Sequence, residues 1–153
     1  CILMIAVLEH ILDPQVMVKE ASRVLKKEGL IAADTPFMQQ VHMQEHDFTR
    51  FTDLGHRWLF RDFEEIKRGI SSGPSTALLW SITYFLTSFT TNKKIKFILK
   101  ATVRICLFWI KYFDYILINK PSSFSAASGF YFVGKNKKSQ FISPTKLLSQ
   151  FVG

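Results

Sequence analysis

The sequence has little cysteine, no long charge-free helix and no repeated glycine motif. Two Cys residues among 153 make neither a disulfide framework nor the paired spacing of a zinc site. No basic segment precedes the apolar start at Cys1–Leu8, so a secretory signal is not indicated. The apolar run Ala77–Phe89 has only 13 residues, which disfavours a transmembrane hairpin. These absences predict a cytoplasmic protein, and membrane association is the alternative left open.

Acidic residues are scarce in the second half of the chain. Residues 1–75 hold 9 Lys and Arg against 11 Asp and Glu, whereas residues 76–153 hold 11 against 1. This asymmetry indicates either an anionic partner or a solvated basic face beside a large apolar load. A membrane surface, a phosphorylated molecule and a nucleic acid are the candidate partners. Nucleic acid is the weakest of them, because no recognition motif is visible.

The first part of the chain has the pattern of a strand, a helix and a strand. Cys1–Leu8 is a continuous apolar run, as expected for a strand buried on both faces of a parallel sheet. Asp13 suits a helix cap and Gly29 a helix stop, with Lys26–Lys27 in the last turn and a strand at Leu30–Ala33. Four apolar residues recur at helical spacing between them: Met17, Ala21, Val24 and Leu25.

A long loop rich in titratable side chains follows, over residues 34–52. It contains His42 and His46, and the sequence continues into a helix predicted over Asp53–Glu65 with Thr52 as its cap, then into a strand at Ile66–Ser71. Loops after parallel strands are where α/β proteins place ligands. All four histidines of the chain fall near this region, which favours a functional site over a set of unrelated core or surface residues.

Residues 76–118 predict a pair of helices, the second basic and amphipathic. On a helical wheel the basic residues of 93–118 cluster within about 80°, opposite an apolar stripe. The basic set is Lys93, Lys96, Lys100, Arg104 and Lys111, and the stripe is Ile95, Leu99, Cys106, Trp109, Phe113 and Leu117. Such a helix either binds an anionic membrane surface or covers the sheet as a structural cap.

An ordered set of motifs resembles class I S-adenosylmethionine-dependent methyltransferases of the type 11 group. Val7–Ile11 with Asp13-Pro14 resembles the end of the family's fourth strand, and Arg23–Gly29 resembles its RVLKPGG segment, with Lys27 and Glu28 at the usual Pro and Gly. Residues 35–60 resemble the TPF-QQVH loop of a closer group, and residues 129–137 resemble the seventh strand. The resemblance implies an α/β fold, the C-terminal half of a Rossmann-like sheet with an inserted helical pair. The implied segments are a core part at 1–75, the basic helical insert at 76–118, and the last strand and tail at 119–153.

The resemblance also implies the chemistry. It predicts S-adenosylmethionine as cofactor, a small molecule or a glycan as acceptor, methylation on oxygen, and no metal. The predicted cofactor contacts are Ala6, Val7 and Leu8, and the predicted catalytic residues are His10, His42 and His46. The predicted acceptor-binding residues are Asp47, Arg50, His56 and Arg57, with ion pairs to Asp47, Asp53 or Asp62 as the alternative role of both arginines. Phosphate or carboxylate recognition by the arginines is the functional interpretation.

The sequence departs from the family in one respect that bears on activity. Its seven glycines include no GxGxG loop, and no counterpart exists for the acidic residue that holds the cofactor's ribose. We therefore expect a C-terminal fragment that binds the cofactor poorly by itself, belonging to a longer active protein. The alternative is a catalytically inactive peripheral membrane or interaction module.

Overall fold

The computed structural model describes residues 1–42, 44–137 and 142–152 and confirms a mixed α/β fold. Short 3₁₀ helices lie at Leu8–His10, Gln44–His46, Phe108–Phe113 and Pro121–Ser125. The strands are β1 (Ile2–Ile5), β2 (Leu30–Pro36), β3 (Glu64–Ser72) and β4 (Gly129–Lys135). The α-helices are α1 (Pro14–Val24), α2 (Asp53–Leu59), α3 (Pro74–Ser88), α4 (Lys93–Leu107), α5 (Asp114–Leu117) and α6 (Pro144–Leu148).

The four strands form one sheet in the order β1-β2-β4-β3. β1 pairs in parallel with β2, whereas β4 is antiparallel to both β2 and β3. The strands β1, β2 and β3 therefore run in one direction, and their carboxyl ends meet at one edge of the sheet. Ile5 pairs with Asp34 there, and Pro36 pairs with Gly129.

Helix α1 begins where the sequence predicts but ends earlier. The Asp13 carboxylate accepts a hydrogen bond from the Val16 backbone N–H at 3.1 Å, which confirms it as the cap. The helix ends at Val24, so the prediction that Lys26–Lys27 occupy its last turn is wrong. The buried Asn136 side chain donates hydrogen bonds to the carbonyls of Ser22 and Leu25 at 2.7 and 3.0 Å. These bonds satisfy carbonyl groups at the helix end, which would otherwise need the N–H groups of a further helical turn.

The core-facing side of α1 is rotated from the predicted one. Val18 and Ala21 are buried, whereas Met17 and Val24 are exposed. Leu25 is buried although it lies beyond the helix, because the extended chain after Val24 turns it back under the sheet. Ala21 and Leu25 of the predicted set are therefore confirmed as core residues, and the other two lie at the surface.

Strand β1 is shorter and less covered than predicted. It spans Ile2–Ile5, and only Met4 is buried, whereas Leu3 and Ile5 are 68% and 56% exposed. The prediction of a strand buried on both faces is therefore wrong for the described structure. The physical reason is its place at the edge of the sheet, where no described element covers the face that Leu3 and Ile5 share.

Helix α2 is also shorter than predicted. Thr52 caps it, because its Oγ1 accepts from the Gly55 N–H at 3.1 Å, but the helix ends at Leu59 rather than Glu65. Glu64 and Glu65 instead begin β3 and pair with Lys135 and Gly134. An adjacent antiparallel strand thus outweighs the helical propensity of the two glutamates.

The main core lies where α1 and α2 pack on the sheet. It combines residues of β1, β2 and β4 with the two helices and the segment that follows α2. Phe60 and Phe132 stack there with ring centroids 4.7 Å apart and are almost completely buried. Burial of each large apolar side chain contributes about 2–3 kcal/mol, so this pair is a principal link between α2 and β4.

The helical pair packs chiefly on itself rather than on the sheet. The predicted helix over 93–118 is interrupted, because α4 ends at Leu107 and a 3₁₀ turn leads into α5. The Asp114 carboxylate at the start of α5 accepts hydrogen bonds from the backbone N–H groups of Ser75 and Thr76, at 2.8 and 3.1 Å. This contact ties the end of the pair to the start of α3.

The predicted apolar stripe of the second helix is not a buried face. Ile95, Trp109 and Phe113 are about half exposed, and Cys106 is also exposed. The pair thus does not bury this stripe against the sheet as a structural cap. Among the described helices, none is long and apolar enough to cross a bilayer.

Candidate active site

A cleft of about 240 Å³ opens at the carboxyl ends of the parallel strands. Parallel α/β sheets characteristically bind ligands at this edge. The strand ends, the loop after β2, the start of β4 and one side chain of α3 line it. The lining residues are Ile5, Ala6, Glu9, Asp34, Thr35, Pro36, Gln39, His42, Ser71, Ser72, Trp80, Ser128 and Gly129.

The predicted cofactor residues are placed in three different ways. Ala6 lines the cleft in the left-handed backbone conformation, with φ of 52°, and its N–H donates to the Asp34 carbonyl at 3.0 Å. Val7 precedes the short 3₁₀ helix, and Leu8 is fully buried in the core. A non-glycine residue in this conformation is costly, and such strain is concentrated at functional sites. Only Ala6 of the three is placed to touch a molecule in the cleft.

Glu9 lines the cleft with a buried carboxylate. Its side chain is 1% exposed, and neither oxygen has a hydrogen-bond partner in the described structure. A buried polar group without a hydrogen-bond partner destabilises the folded state by about 1–3 kcal/mol. A bound molecule that donates a hydrogen bond to Glu9, or a cation bound beside it, would relieve this cost. The Glu9 backbone carbonyl meanwhile accepts from the N–H groups of Phe48 and Thr49, which attaches the long loop to this turn.

His10 is fixed by the loop, although it does not itself line the cleft. Its Nδ1 lies 2.6 Å from the His46 carbonyl oxygen, so Nδ1 carries the proton and donates it. The other nitrogen, Nε2, lies 3.7 Å from Oε1 of Glu9. The ring also packs edge-on against His42, with centroids 5.2 Å apart.

His42 lines the cleft and is oriented by Asp47. The backbone N–H of His42 donates to Oδ2 of Asp47 at 2.9 Å, and its ring Nδ1 lies 3.4 Å from the same oxygen. A carboxylate beside Nδ1 favours the tautomer that carries a proton there and leaves Nε2 as a free base. His46, by contrast, contributes its carbonyl, while its side chain is 67% exposed and lies near Glu45.

Asp47 and Arg50 form the structural centre of the loop. Arg50 pairs with both oxygens of Asp47 and also donates to the carbonyls of Gln39, Gln40 and Thr49. The hydrogen bond from Arg50 lowers the pKa of Asp47 to about 2. Arg50 therefore forms the ion pair with Asp47 that the sequence offered as its alternative role. Its guanidinium is largely used in holding the loop.

Three possible metal ligands meet beside the cleft. Glu9, His10 and His42 each place one ligand atom within 4.8 Å of the others. A carboxylate and two imidazoles suit a divalent transition metal, but the same arrangement also suits proton transfer. The sequence prediction of no metal stays a prediction.

Asp34 is a cleft residue that the sequence analysis missed. It ends the parallel part of β2, and the Ser71 hydroxyl donates to its Oδ1 at 2.9 Å. Burial raises the pKa of Asp34 above its usual range. The available signal was an acid directly after the apolar run of β2, at a carboxyl strand end. Trp80 gave no such signal, because only the fold brings α3 to the cleft.

His56 and Arg57 lie apart from the cleft. The His56 ring is buried among the rings of Phe51, Phe60 and Phe132, and burial lowers its pKa to about 4. Arg57 is 5% exposed and lines a separate cavity. Its Nε donates to Glu65 at 2.9 Å and its Nη2 to Gln150 at 2.5 Å.

The partner of Arg57 was not among the predicted ones. The predicted partners are Asp47, Asp53 and Asp62, whereas the ion pair forms with Glu65. Asp53 pairs instead with Arg68, at 2.7 Å. The antiparallel entry into β3 places Glu65 beside α2, which the sequence spacing does not reveal.

Comparison with known proteins finds one family model that matches the first part of the chain. The model of a family described as a methyltransferase domain matches residues 1–33, which cover β1, α1 and most of β2. No curated protein matches the chain significantly. Among solved structures, the chain is similar to coclaurine N-methyltransferase bound to N-methylheliamine and SAH, with 13% identity and a TM-score of 0.44. That similarity covers 87% of this chain and 46% of the other, so the chain spans less than half the length of that protein.

Proposed function

We propose, from the premise that residues 1–33 belong to a class I methyltransferase domain, that the protein takes part in methyl transfer from S-adenosylmethionine to a small-molecule or glycan hydroxyl. The cofactor would supply an electrophilic methyl group. The observation that carries the proposal is the cleft, which joins the matched segment to the histidine-bearing loop through Glu9 and His42. Aligning an acceptor and removing its proton are the tasks left to the protein.

The matched segment would form the cofactor side of the cleft. Ala6 presents backbone in a strained conformation, while Val7 and Leu8 act by anchoring that turn to the core. The unpartnered carboxylate of Glu9 is an acceptor for a cationic or N–H-bearing part of a bound molecule. Of the three predicted cofactor residues, this proposal keeps Ala6 in direct contact with the cofactor, and it adds Glu9 to the residues that contact it.

The loop would form the acceptor side, with His42 as the base. Asp47 lies beside Nδ1 of His42, and Arg50 keeps Asp47 ionised, so Nε2 of His42 can accept a proton from a hydroxyl. His10 supports the His42 ring by edge-on packing. Oxygen acceptors fit this arrangement because a hydroxyl must lose its proton during methylation.

Methyl transfer can be tested with protein expressed from the complete gene and with the 153-residue chain side by side. Each is incubated with methyl-labelled S-adenosylmethionine and extracts of hydroxylated small molecules or glycans, and cofactor binding is measured calorimetrically. We expect transfer by the gene product and weak binding by the chain, because no GxGxG loop occurs in it. Absence of cofactor binding by the complete gene product would overturn the proposal.

A second candidate function is peripheral membrane binding without catalysis. Thirteen large apolar side chains of the helical pair and the turns after it are 46–80% exposed: Leu78, Phe85, Phe89, Ile95, Phe97, Ile98, Ile105, Phe108, Trp109, Tyr112, Phe113, Tyr115 and Ile116. An exposed apolar surface of this kind, with basic residues beside it, favours an interface with anionic lipid. Sedimentation with vesicles of phosphatidylserine and phosphatidylcholine tests it, and failure to bind at low salt counts against it.

A further inference from the structure

A second cavity, of about 490 Å³, lies between α3 and α4. We call it the helical groove. Its walls include three aromatic and three basic side chains: Trp80, Tyr84, Phe108, Lys100, Arg104 and Lys111. Trp80 also lines the cleft at the strand ends, so the helical groove adjoins the candidate active site.

The three cations of the helical groove have no carboxylate partner among the described residues. Lys100 places its Nζ 5.5 Å from the centre of the Tyr84 ring, and neither it nor Arg104 or Lys111 forms an ion pair there. Asp114, the single acid of residues 76–153, already accepts hydrogen bonds from the start of α3. Within the described part of the chain these cations are thus available to an anion of another molecule.

The helical groove also has apolar wall residues, beside the hydroxyl-bearing Thr76 and Thr83. Leu79 and the buried Val103 contribute aliphatic surface, and Trp80 with Phe108 contributes aromatic surface. The planar guanidinium of Arg104 can donate two parallel hydrogen bonds to a phosphate, and the ammonium groups of the two lysines can pair with its charge. A free inorganic ion would leave the apolar walls uncovered, whereas a molecule with an apolar body would bury them.

We propose that the helical groove binds an amphiphilic phosphate, with its anionic group at Lys100, Arg104 and Lys111 and its apolar part between α3 and α4. The continuity through Trp80 identifies this molecule as the methyl acceptor, and that second statement rests on the proposed function. The binding of such a molecule does not depend on the proposed function, because the helical groove lies outside the methyltransferase match at residues 1–33.

Calorimetric titration of the chain with dodecyl phosphate, below its micelle concentration, tests the binding. Inorganic phosphate and dodecyl maltoside serve as probes of charge alone and of the apolar chain alone. The variant K100A/R104A removes two cations of the helical groove, and K93A/K96A removes two from the same helix outside it. We expect dodecyl phosphate to bind at least tenfold tighter than either probe, and K100A/R104A to weaken it at least tenfold while K93A/K96A changes it less than twofold.

Three results would overturn the assignment: equal affinity for inorganic phosphate, equal affinity for dodecyl maltoside, or equal loss in the two double variants. The last would mean that the whole basic helix attracts anions as a surface does. Circular dichroism confirms that the variants fold, and an Arg104→Glu variant repeats the comparison if one of them does not. Binding without any methyl transfer by the complete gene product would leave the helical groove assignment intact and sink the proposed function alone.

Discussion

The Nδ1 atom of His42 lies 3.4 Å from Oδ2 of Asp47, and the same oxygen accepts the His42 backbone N–H at 2.9 Å. One carboxylate therefore fixes both the backbone and the ring of His42. We expect His42→Gln to lower kcat for a hydroxyl acceptor by about 10²–10⁴, the usual contribution of a general base, with little change in KM. Steady-state kinetics with a varied acceptor concentration is the measurement, because it separates the loss in kcat from any change in KM.

His46→Ala is the matched control in the same loop. The His46 side chain is largely exposed, and among the described residues His46 contacts the site through a backbone carbonyl that the substitution keeps. Activity should therefore stay within about twofold of the unsubstituted protein. A loss for His46→Ala as large as that for His42→Gln would contradict this assignment and restore the sequence prediction of a catalytic His46.

Asp47→Asn should weaken the fold in a way that depends on pH. Because the pKa of Asp47 is lowered to about 2, the ionised form stabilises the folded state above about pH 4, and this stabilisation is lost as the pH falls through 2. The shift corresponds to about 2 kcal/mol at neutral pH. Urea unfolding at pH 7, 4 and 2 measures it, and Asp47→Asn should lose most stability at pH 7 and least at pH 2.

The exposed Glu45 is the control for that experiment. Glu45→Gln removes a carboxylate from the same loop, but its side chain is 73% exposed and has no contact with Arg50. Its unfolding curves should follow those of the unsubstituted protein at all three pH values. Equal behaviour of the two variants would mean that the Arg50–Asp47 pair does not hold the loop in solution.

Local signals in the sequence identified much of the fold, whereas long-range packing escaped it. Caps such as Asp13 and Thr52 follow from the chemistry of single residues, and both are confirmed. The burial of His56 and the approach of Trp80 to the cleft depend on pairing between distant segments, which no periodicity encodes. The same holds for Glu9, whose neighbours in the sequence do not reveal that its carboxylate is buried without a hydrogen-bond partner.

His56→Leu should flatten the stability profile between pH 6.5 and 4. Burial lowers the pKa of His56 to about 4, so between these values the unfolded chain binds a proton that the folded protein does not. Stability therefore falls as the pH decreases through this window, by at most about 3 kcal/mol. Chemical unfolding at pH 7, 5.5 and 4.5 should show a slope for the histidine protein that the leucine variant lacks.

The result for His56 also separates a core role from a binding role. A leucine at position 56 fits among Phe51, Phe60 and Phe132 and removes a buried nitrogen that has no partner. We expect equal or higher stability at pH 7 and unchanged affinity for any acceptor. Weaker acceptor binding without loss of stability would instead support the sequence prediction that His56 contacts the acceptor.

Glu28 adopts a conformation that glycine would adopt more readily. Its φ is 65°, at the position where the resembled motif has glycine, and its carboxylate lies 3.3 and 3.2 Å from Lys135 and Lys137. Left-handed backbone is unfavourable for residues with a side chain, whereas exposed ion pairs contribute little. We expect Glu28→Gly to raise the melting temperature by a few degrees, as measured by circular dichroism. Glu28→Gln keeps the backbone strain and removes only the charge, so it should melt slightly below the unsubstituted protein. If Glu28→Gly melts below Glu28→Gln, the glycine's added freedom in the unfolded chain outweighs the relief of strain at this turn.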